Sequence, residues 1–560
     1  MAQNIITPGV YIQETNAFPN SMVEVATAVP AFIGYTEKAI ENGKYLVNQP
    51  VRITSLAEYH HSFGGAFNPR FTIDPVVPGK PNKHEITIDG ETKAINYLPD
   101  HHLFMYRGIQ LFFNNGGNTC YIVSVGTYEE KDKIVQVQKD ILEAGLDTLL
   151  KEQEPTIIVI PDAVNLKDDC YLLYNKVLAH CAKMQSRFAI LDIYVGDNAG
   201  IELDGDFHYI NRFRELIGTE YLNYGAAYFP WLNTDIVRKD EITYENLDAS
   251  VDLSKLLPEL AAKNLTANFP ANLNDFIVAL LQEKPNDLAT ALINDNPKGI
   301  ETAVKDGKLV DGFSFELYTA LKKKEDLKEA PKLLANFIKE KKHNFHLGLL
   351  ATSPTYSNLM DKIREITNIL PPSSAMAGIY TMVDNSIGVW KSPANISLNC
   401  VFNPTVNISH DEQENLNVDI VSGKSINAIR TFPGIGTLVW GGRTLDGNSL
   451  DWRYINVRRT MIMLEQSIKL ALQSFVFEPN DANTWILVKS LIINFLTSKW
   501  KQGALAGASP DDAFDVQVGL GATMTGLDIL DGKMLVSLKL AIVRPAEFIV
   551  VTFEQQMQKS

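Results

Sequence analysis

Short apolar runs separated by segments of helical periodicity are the feature that most constrains the fold of this chain. Residues 157–160 and 188–191 are apolar at every position, and residues 226–229 follow the same pattern. Strands of this kind need cover on both faces, and helices that connect such strands place them parallel in one sheet. The sequence therefore predicts a mixed α/β fold, α+β in part, built on a parallel sheet. Residues 102–113 are dense enough in apolar side chains for a buried helix.

The size and charge of the chain exclude some classes of partner. Its 560 residues suffice for roughly three or four domains, and its formal net charge of −15 disfavours binding to phosphate backbones. We therefore expect no nucleic-acid partner. The chain opens without a signal-peptide pattern, and no apolar run reaches the length of a membrane span. We expect a protein made in the cytoplasm, without direct membrane insertion. The scattered cysteines agree with reduced thiols; they are Cys120, Cys170, Cys181 and Cys400.

The sequence contains only incomplete matches to motifs for catalysis or cofactor binding. The triplet Gly423-Lys424-Ser425 lacks the earlier glycine of a phosphate loop, because Val418 occupies that position, and a polar turn before a strand explains it better. His343 and His346 have the spacing of helical metal ligands without the glutamate of a zinc motif, and we expect exposed histidines on a helix. We expect no catalytic residue, no cofactor and no metal.

The C-terminal end is unusually apolar. Residues 536–542 alternate between apolar and polar side chains, and after Arg544-Pro545 a second run is apolar on both faces. Such a strand must be covered and paired, or it aggregates. It pairs either within its own sheet, beside the short β-rich run at residues 10–14, or with a neighbouring molecule by strand addition. The pattern alone fits both arrangements.

A helix is predicted near residues 458–475. Its apolar stripe at spacings of three and four consists of Met461, Leu464, Ile468, Leu472 and Phe475. The opposite side mixes apolar and polar residues, which is typical of a helix sandwiched between two layers. Contact of that side with a partner protein is the alternative.

Several stretches of the chain, in the same order along the sequence, resemble phage tail sheath proteins. They are residues 7–14 (Thr-Pro-Gly-Val-Tyr-Ile-Gln-Glu), 112–123, 228–231, 371–380, 388–395, 426–430, 439–445, 451–459 and 544–549. The resemblance fails in the segment from about residue 233 to 346, where composition and periodicity predict a helical insertion.

The resemblance implies a multi-domain sheath subunit with extended terminal strands. Its parts would be an N-terminal strand arm (1–20), an outer α/β region with a subtilisin-like layer and the helical insertion (21–370), an inner domain that faces a tube (371–543) and a C-terminal strand arm (544–560). The family exchanges terminal strands between neighbours, which here would be Val10, Tyr11, Ile12, Gln13 and Glu14 together with Phe548, Ile549, Val550, Val551, Thr552 and Phe553. Candidates for contact with the tube are Arg458, Arg459, Gln466 and Lys469.

The function that the resemblance implies is structural. The subunit would polymerise around an inner tube, store energy at assembly and contract to drive the tube through a target envelope. Its partners would be other copies of itself, the tube protein, and baseplate and terminal cap proteins, in a virion tail or a released phage-tail-like particle. The alternative is a soluble α/β enzyme or a monomeric binding module whose site the sequence does not reveal.

Overall fold

The computed structural model of the chain describes residues 22–76, 84–98, 102–130, 133–196, 208–248, 250–251, 253–257 and 343–552. Its strands, numbered along the chain, are β1 (Pro30–Thr36), β2 (Ile40–Glu41), β3 (Lys44–Tyr45), β4 (Pro50–Ile53), β5 (Phe71–Pro75), β6 (Glu85–Ile88), β7 (Glu91–Tyr97), β8 (Cys120–Thr127), β9 (Glu129–Glu130), β10 (Lys133–Ile134), β11 (Ile157–Val159), β12 (Phe188–Asp192), β13 (Gly225–Phe229), β14 (Leu232–Thr234), β15 (Ile369–Leu370), β16 (Ile396–Ser397), β17 (Val401–Pro404), β18 (Asn427–Phe432), β19 (Gly436–Val439), β20 (Phe514–Val518) and β21 (Val536–Leu540).

The α-helices are α1 (Leu56–Phe63), α2 (Met105–Asn114), α3 (Lys139–Thr148), α4 (Cys170–Met184), α5 (His208–Leu216), α6 (Leu253–Leu256), α7 (Pro354–Thr367), α8 (Ser373–Ser386), α9 (His410–Asn417), α10 (Ile455–Leu472), α11 (Ala482–Lys501), α12 (Pro510–Ala513) and α13 (Gly526–Leu530). Residues 343–352 are also helical. Short 3-10 helices occupy Leu149–Lys151, Pro161–Asp169, Leu222–Tyr224, Lys239–Glu241, Tyr244–Asn246 and Gln473–Phe475.

A nine-stranded sheet in the described residues organises the larger part of the molecule. Its strand order is β16-β19-β18-β13-β12-β11-β1-β8-β4, and all neighbours from β18 through β8 run parallel. Every residue of β1, β11, β12 and β13 is buried. The predicted mixed α/β fold with a parallel core is confirmed, because strands that are apolar on both faces form the centre of this sheet.

Helices cover both faces of the parallel sheet. A Cβ on Gly34 of β1 would meet Met105 of α2 at 3.2 Å, whereas the neighbouring residue Ile33 lies against Gly145 of α3. Successive side chains of a strand point to opposite faces, so α2 and α3 cover opposite faces. The predicted buried helix at residues 102–113 corresponds to α2, in which Phe112 and six other residues are buried.

A small antiparallel sheet, β5-β7-β6, forms a second unit together with α7. Phe71, Ile95 and Ile363 belong to its own apolar cluster. The helical insertion that was predicted at about residues 233–346 does not begin there. Instead, β14 pairs with β15 and β17, and 3-10 turns follow it. Thr234 donates its hydroxyl to Asn368 O, and the Val237 backbone exchanges two hydrogen bonds with the Asn368 side chain, which hold this segment beside β15. Most of the remaining insertion lies outside the described residues.

The inner domain that faces a tube, at residues 371–543, stays a prediction, and these residues contribute to two apolar clusters. Its first part, with α8, β18 and β19, belongs to the large core, because β18 pairs with β13 in parallel and the hydroxyl groups of Tyr380 and Tyr228 hydrogen-bond at 2.8 Å. A separate apolar cluster forms later in the chain, from α10, α11, β20 and β21 with Val389. Packing therefore separates the C-terminal domain near α10 rather than at residue 371.

Helix α10 lies between the two cores. Ile455 and Ile462 pack in the large cluster. Met463, Leu464 and Ile468 pack in the separate C-terminal cluster with α11, β20 and β21. The prediction of a helix sandwiched between layers is confirmed.

Candidate assembly interface

Residues 541–547, which we call the C-terminal root, are held to the subunit by a cluster of hydrogen bonds and an ion pair at Glu547. We call this cluster the clamp. Arg443 donates to the Glu547 carboxylate from Nε at 2.9 Å and from Nη2 at 2.6 Å. Tyr454 donates its hydroxyl to the same carboxylate at 3.0 Å, and Asn417 donates its side-chain amide at 2.7 Å. The Arg443 side chain is 4% exposed and that of Glu547 21%. A bidentate pair at this burial fixes both position and orientation.

The charge state of this clamp is robust at neutral pH. Burial opposes ionisation of Glu547, but hydrogen bonds from Arg443 and Asn417 outweigh it and hold the pKa of Glu547 below its ordinary value. A carboxylate with a lowered pKa in the folded state contributes stability at neutral pH and loses it only in acid. The ion pair of the root is therefore expected to open only in acid.

Directly after Glu547 the chain becomes exposed; we call residues 548–552 the C-terminal arm. Its apolar side chains have large exposed fractions, which are 72% for Phe548, 80% for Ile549, 89% for Val550 and 64% for Val551. Thr552 is also exposed, and the arm pairs with no strand among the described residues. Phe553 lies outside them. A contiguous exposed apolar segment of this kind is typical of interaction sites.

The N-terminal end of the described chain is also held by specific contacts, and we call residues 22–29 the N-terminal root. Glu24 pairs with the buried Lys499 of α11. The Val25 N–H donates to Ser467 Oγ at 3.1 Å, and Thr27 O accepts from Arg459 Nη2 at 3.0 Å. The predicted strand residues Val10, Tyr11, Ile12, Gln13 and Glu14 lie outside the described residues.

The C-terminal domain contains a two-stranded antiparallel ribbon, β20–β21. Its register pairs Phe514 with Leu540 and Val518 with Val536. No third strand joins the ribbon in the described part of the chain, although the segment just beyond β21 bridges to Leu505 through Ile542. Outside that bridge, the outer edges of β20 and β21 have no strand partner among the described residues. A two-stranded ribbon is marginal on its own and offers unpaired N–H and C=O groups to an added strand.

Two of the predicted tube-contacting cations lie inside the subunit, which corrects that prediction. Arg459 forms a buried ion pair with Asp384 at 2.6 Å, with both side chains 2% exposed, and stacks on Tyr380 at 4.6 Å. Arg458 is 4% exposed, donates to the Tyr224 hydroxyl and stacks on that ring at 4.2 Å. Neither guanidinium is available to a tube surface, because each stabilises the packing of α10.

The other two candidates reach the surface. A groove of about 450 Å³ is lined by residues of the N-terminal root and of α10, among them Gln466, Lys469 and Leu470. Gln466 donates to Gln185 O at 3.0 Å, and Lys469 is exposed. Contact of Gln466 and Lys469 with a tube stays a prediction.

The rejected chemical motifs have structural roles. Lys424 is buried and donates from Nζ to Arg214 O in a turn before β18, as expected of a polar turn. His346 is 2% exposed and contacts the Tyr356 hydroxyl at 2.8 Å, so the expectation of an exposed histidine is wrong there. Within the described ranges, no group of three acidic, cysteine or histidine side chains is placed to hold a metal. No helix there has the length and apolar character of a membrane span.

Sequence reasoning missed the residues that form the two roots. Arg443, Tyr454 and Glu547 all lie in stretches that resemble sheath proteins, so the signal was present. The pairing was invisible, because Arg443 and Glu547 are separated by 104 positions.

Comparison with known proteins identifies the fold. Residues 448–556 match the model of the phage tail sheath C-terminal domain. The whole chain is similar to the sheath of the extracellular contractile injection system PVC in its contracted state, with 23% identity, coverage of 99% of both chains and a TM-score of 0.55. The chain has the fold of a contractile-sheath subunit. The matched family model spans α10, the ribbon and the C-terminal root of this sheath fold.

Two further structures share this sheath fold. The contracted helical sheath of the anti-feeding prophage (AFP) is 24% identical, with 98% of this chain and 99% of that chain covered and a TM-score of 0.55. A chain of the six-fold symmetrised AFP baseplate is 24% identical, with 99% of both chains covered and a TM-score of 0.54. No curated protein sequence matches the chain. The resemblance to sheath proteins is confirmed at the level of fold.

Proposed function

We propose that this chain is the sheath subunit of a contractile phage-tail-like particle, a structural protein that polymerises with other copies of itself. The observation that carries the proposal is the C-terminal arm, which is apolar, exposed and fixed at its base by Glu547. A free monomer gains nothing from such a segment, whereas a polymer uses it as a link.

The receiving element is the β20–β21 ribbon of a neighbouring subunit. Adding residues 548–553 of one copy to an open edge supplies main-chain hydrogen bonds and covers apolar side chains. The N-terminal residues 10–14 of a further copy add to the other edge. The two-stranded ribbon then becomes a larger sheet composed of strands from several subunits.

The polymer surrounds an inner tube, with baseplate and terminal cap proteins at its ends, and is assembled in the bacterial cytoplasm. Its subunits rotate as near-rigid bodies during contraction and use energy stored at assembly, without catalysis. The similar proteins come from sheath and baseplate complexes, which supports this arrangement. The C-terminal domain faces the tube and presents Gln466 and Lys469.

The proposal is tested by deleting residues 548–560, which removes the arm and retains Glu547. The shortened subunit is expected to keep its unfolding temperature, because the arm makes no strand pairing in the described subunit. The polymerised fraction in sedimentation and electron microscopy is expected to fall about tenfold or more, because several main-chain hydrogen bonds are lost at each junction.

Two variants serve as controls. Deleting residues 555–560 removes the polar tail alone and should leave polymers intact. Replacing Ile549 and Val550 by proline removes backbone donors, whereas replacing both by threonine keeps them; only the proline pair should block assembly. Normal tubes from the arm-less subunit would refute strand donation, and an intact chain that never forms tubes would refute the sheath function.

A further inference from the structure

The C-terminal root is attached to the beginning of α10. Tyr454, which immediately precedes this helix, donates to Glu547 at 3.0 Å. Asn456 in the first turn is 1% exposed and donates its side-chain amide to Val543 O at 3.0 Å. Both contacts fix the chain just before the C-terminal arm becomes exposed.

The N-terminal root is attached to the same helix farther along. Arg459 binds Thr27 O at 3.0 Å, and Ser467, which is fully buried, accepts the Val25 N–H at 3.1 Å. Since a helix rises 1.5 Å per residue, Tyr454 and Ser467 lie about 20 Å apart along the axis.

Helix α10 is well suited to keep this distance constant. Its residues from Ile455 to Thr460 are all buried, and it packs in both apolar clusters. Arg459 is itself fixed by the buried Asp384. A helix packed on both sides cannot bend or slide without opening a core.

We propose that α10 is a strut that joins the bases of the two terminal arms of one subunit and keeps them at a constant separation. This inference rests on the proposed function, in which each arm pairs with a different neighbour. Tension that a neighbour applies to one arm passes through its root to α10 and from there to the other root. The geometry of successive links in the polymer is then determined by one helix and the four residues Tyr454, Asn456, Arg459 and Ser467.

The distance between the roots is measured with spin labels on Ala26→Cys and Ala546→Cys, both at exposed positions. Cys400→Ser removes the one partly exposed thiol, and Cys120, Cys170 and Cys181 are buried. The free subunit is expected to give one narrow distance distribution. The same distance is expected in assembled polymers, both before and after contraction.

Substitutions in the contacts between the two roots and the α10 region test the role of these contacts. Tyr454→Phe and Ser467→Ala each remove one hydroxyl that holds a root, and Glu547→Gln weakens the clamp. Ser474→Ala is the matched control, because this exposed hydroxyl bonds only to Ala471 O among the contacts of the described chain. The double variant Tyr454→Phe/Ser467→Ala is expected to broaden the distance distribution and to raise the critical concentration for assembly about tenfold.

The outcomes separate this inference from the sheath function. A distance that changes between free and assembled subunits would overturn the strut, and so would root variants that behave like Ser474→Ala in both measurements. Intact labelled subunits that form no polymer would instead refute the sheath function, while the distance in the free subunit would still test whether α10 holds the roots.

Discussion

Two buried carboxyl groups join the parallel sheet to the helices that begin at its edge. Asp162 accepts hydrogen bonds from three backbone N–H groups. The donors are Tyr35 at 3.0 Å, and Phe104 and Met105 at the start of α2 at 2.6 and 3.2 Å. Asp192 accepts the N–H of Ser373 at 2.8 Å and also its hydroxyl. Burial raises the pKa of Asp162 to about 6 and that of Asp192 to about 7, although the hydrogen bonds favour the ionised form. Both residues therefore stabilise the fold more in mild acid than at neutral pH.

We expect Asp192→Asn to flatten the pH dependence of stability. A carboxyl group whose pKa is higher in the folded state binds a proton that the unfolded chain has released, so the unfolding free energy falls as pH rises from about 4 to 7, by up to about 1.4 kcal/mol per pH unit. Asparagine can accept the Ser373 N–H and donate to its hydroxyl without titrating. Urea unfolding at pH 4.5, 6.0 and 7.5 measures the difference between variant and parent.

Asp147→Asn is the control for that experiment, because Asp147 is exposed in α3. It should leave the pH slope of the parent unchanged. An Asp192→Asn variant with the same slope as the parent would contradict the assignment.

At the scale of elements, close contact between α2 and α8 depends on glycine. A Cβ on Gly378 would lie 2.6 Å from Phe112 O and 2.9 Å from Asn115 Cβ. One on Gly108 would lie 2.5 Å from Ser374 Oγ. Close packing on α2 places α8 in the large core. The C-terminal domain therefore does not begin at residue 371.

Gly378→Ala is expected to destabilise the subunit by about 1–3 kcal/mol, since overpacking forces the two helices apart. Gly348→Ala, in the helix at residues 343–352, meets nothing within 4 Å and should be neutral or stabilising by up to about 1 kcal/mol. Chemical denaturation of both variants checks the contrast. Equal effects would show that the α2–α8 contact can relax at no cost.

Elements with a strong local pattern could be predicted from the sequence, and contacts between distant elements could not. The runs at β11, β12 and β13 are apolar at nearly every position, so their burial followed directly. The prediction that Arg458 and Arg459 face a tube rests on the resemblance to sheath proteins, whereas their burial is determined by contacts within the subunit. Nothing near them in the sequence reveals that Asp384, 75 positions earlier, lies opposite Arg459. The pairing of β18 with β13 was missed for the same reason.

At the scale of the whole molecule, α10 makes the two cores interdependent. We expect hydrogen exchange at the amides of β12 and of β21 to approach the same opening free energy as denaturant is added, because losing α10 removes Ile462 from one core and Leu464 from the other. The C-terminal arm should exchange at once in the free subunit. Persistent protection of β12 after β21 has opened would mean that the C-terminal domain unfolds independently.

The open ribbon has a consequence for how a particle begins and stops growing. A polymer in which each subunit donates a strand to the next subunit and accepts one from the previous subunit is a head-to-tail assembly. Its two ends are therefore chemically different. At one end the last ribbons have empty edges, and at the other the last apolar strands have no edge to join. The strand donation that we propose would therefore require two different terminator proteins, one that supplies a strand and one that supplies a sheet edge, and exchanging them would leave both ends prone to aggregation.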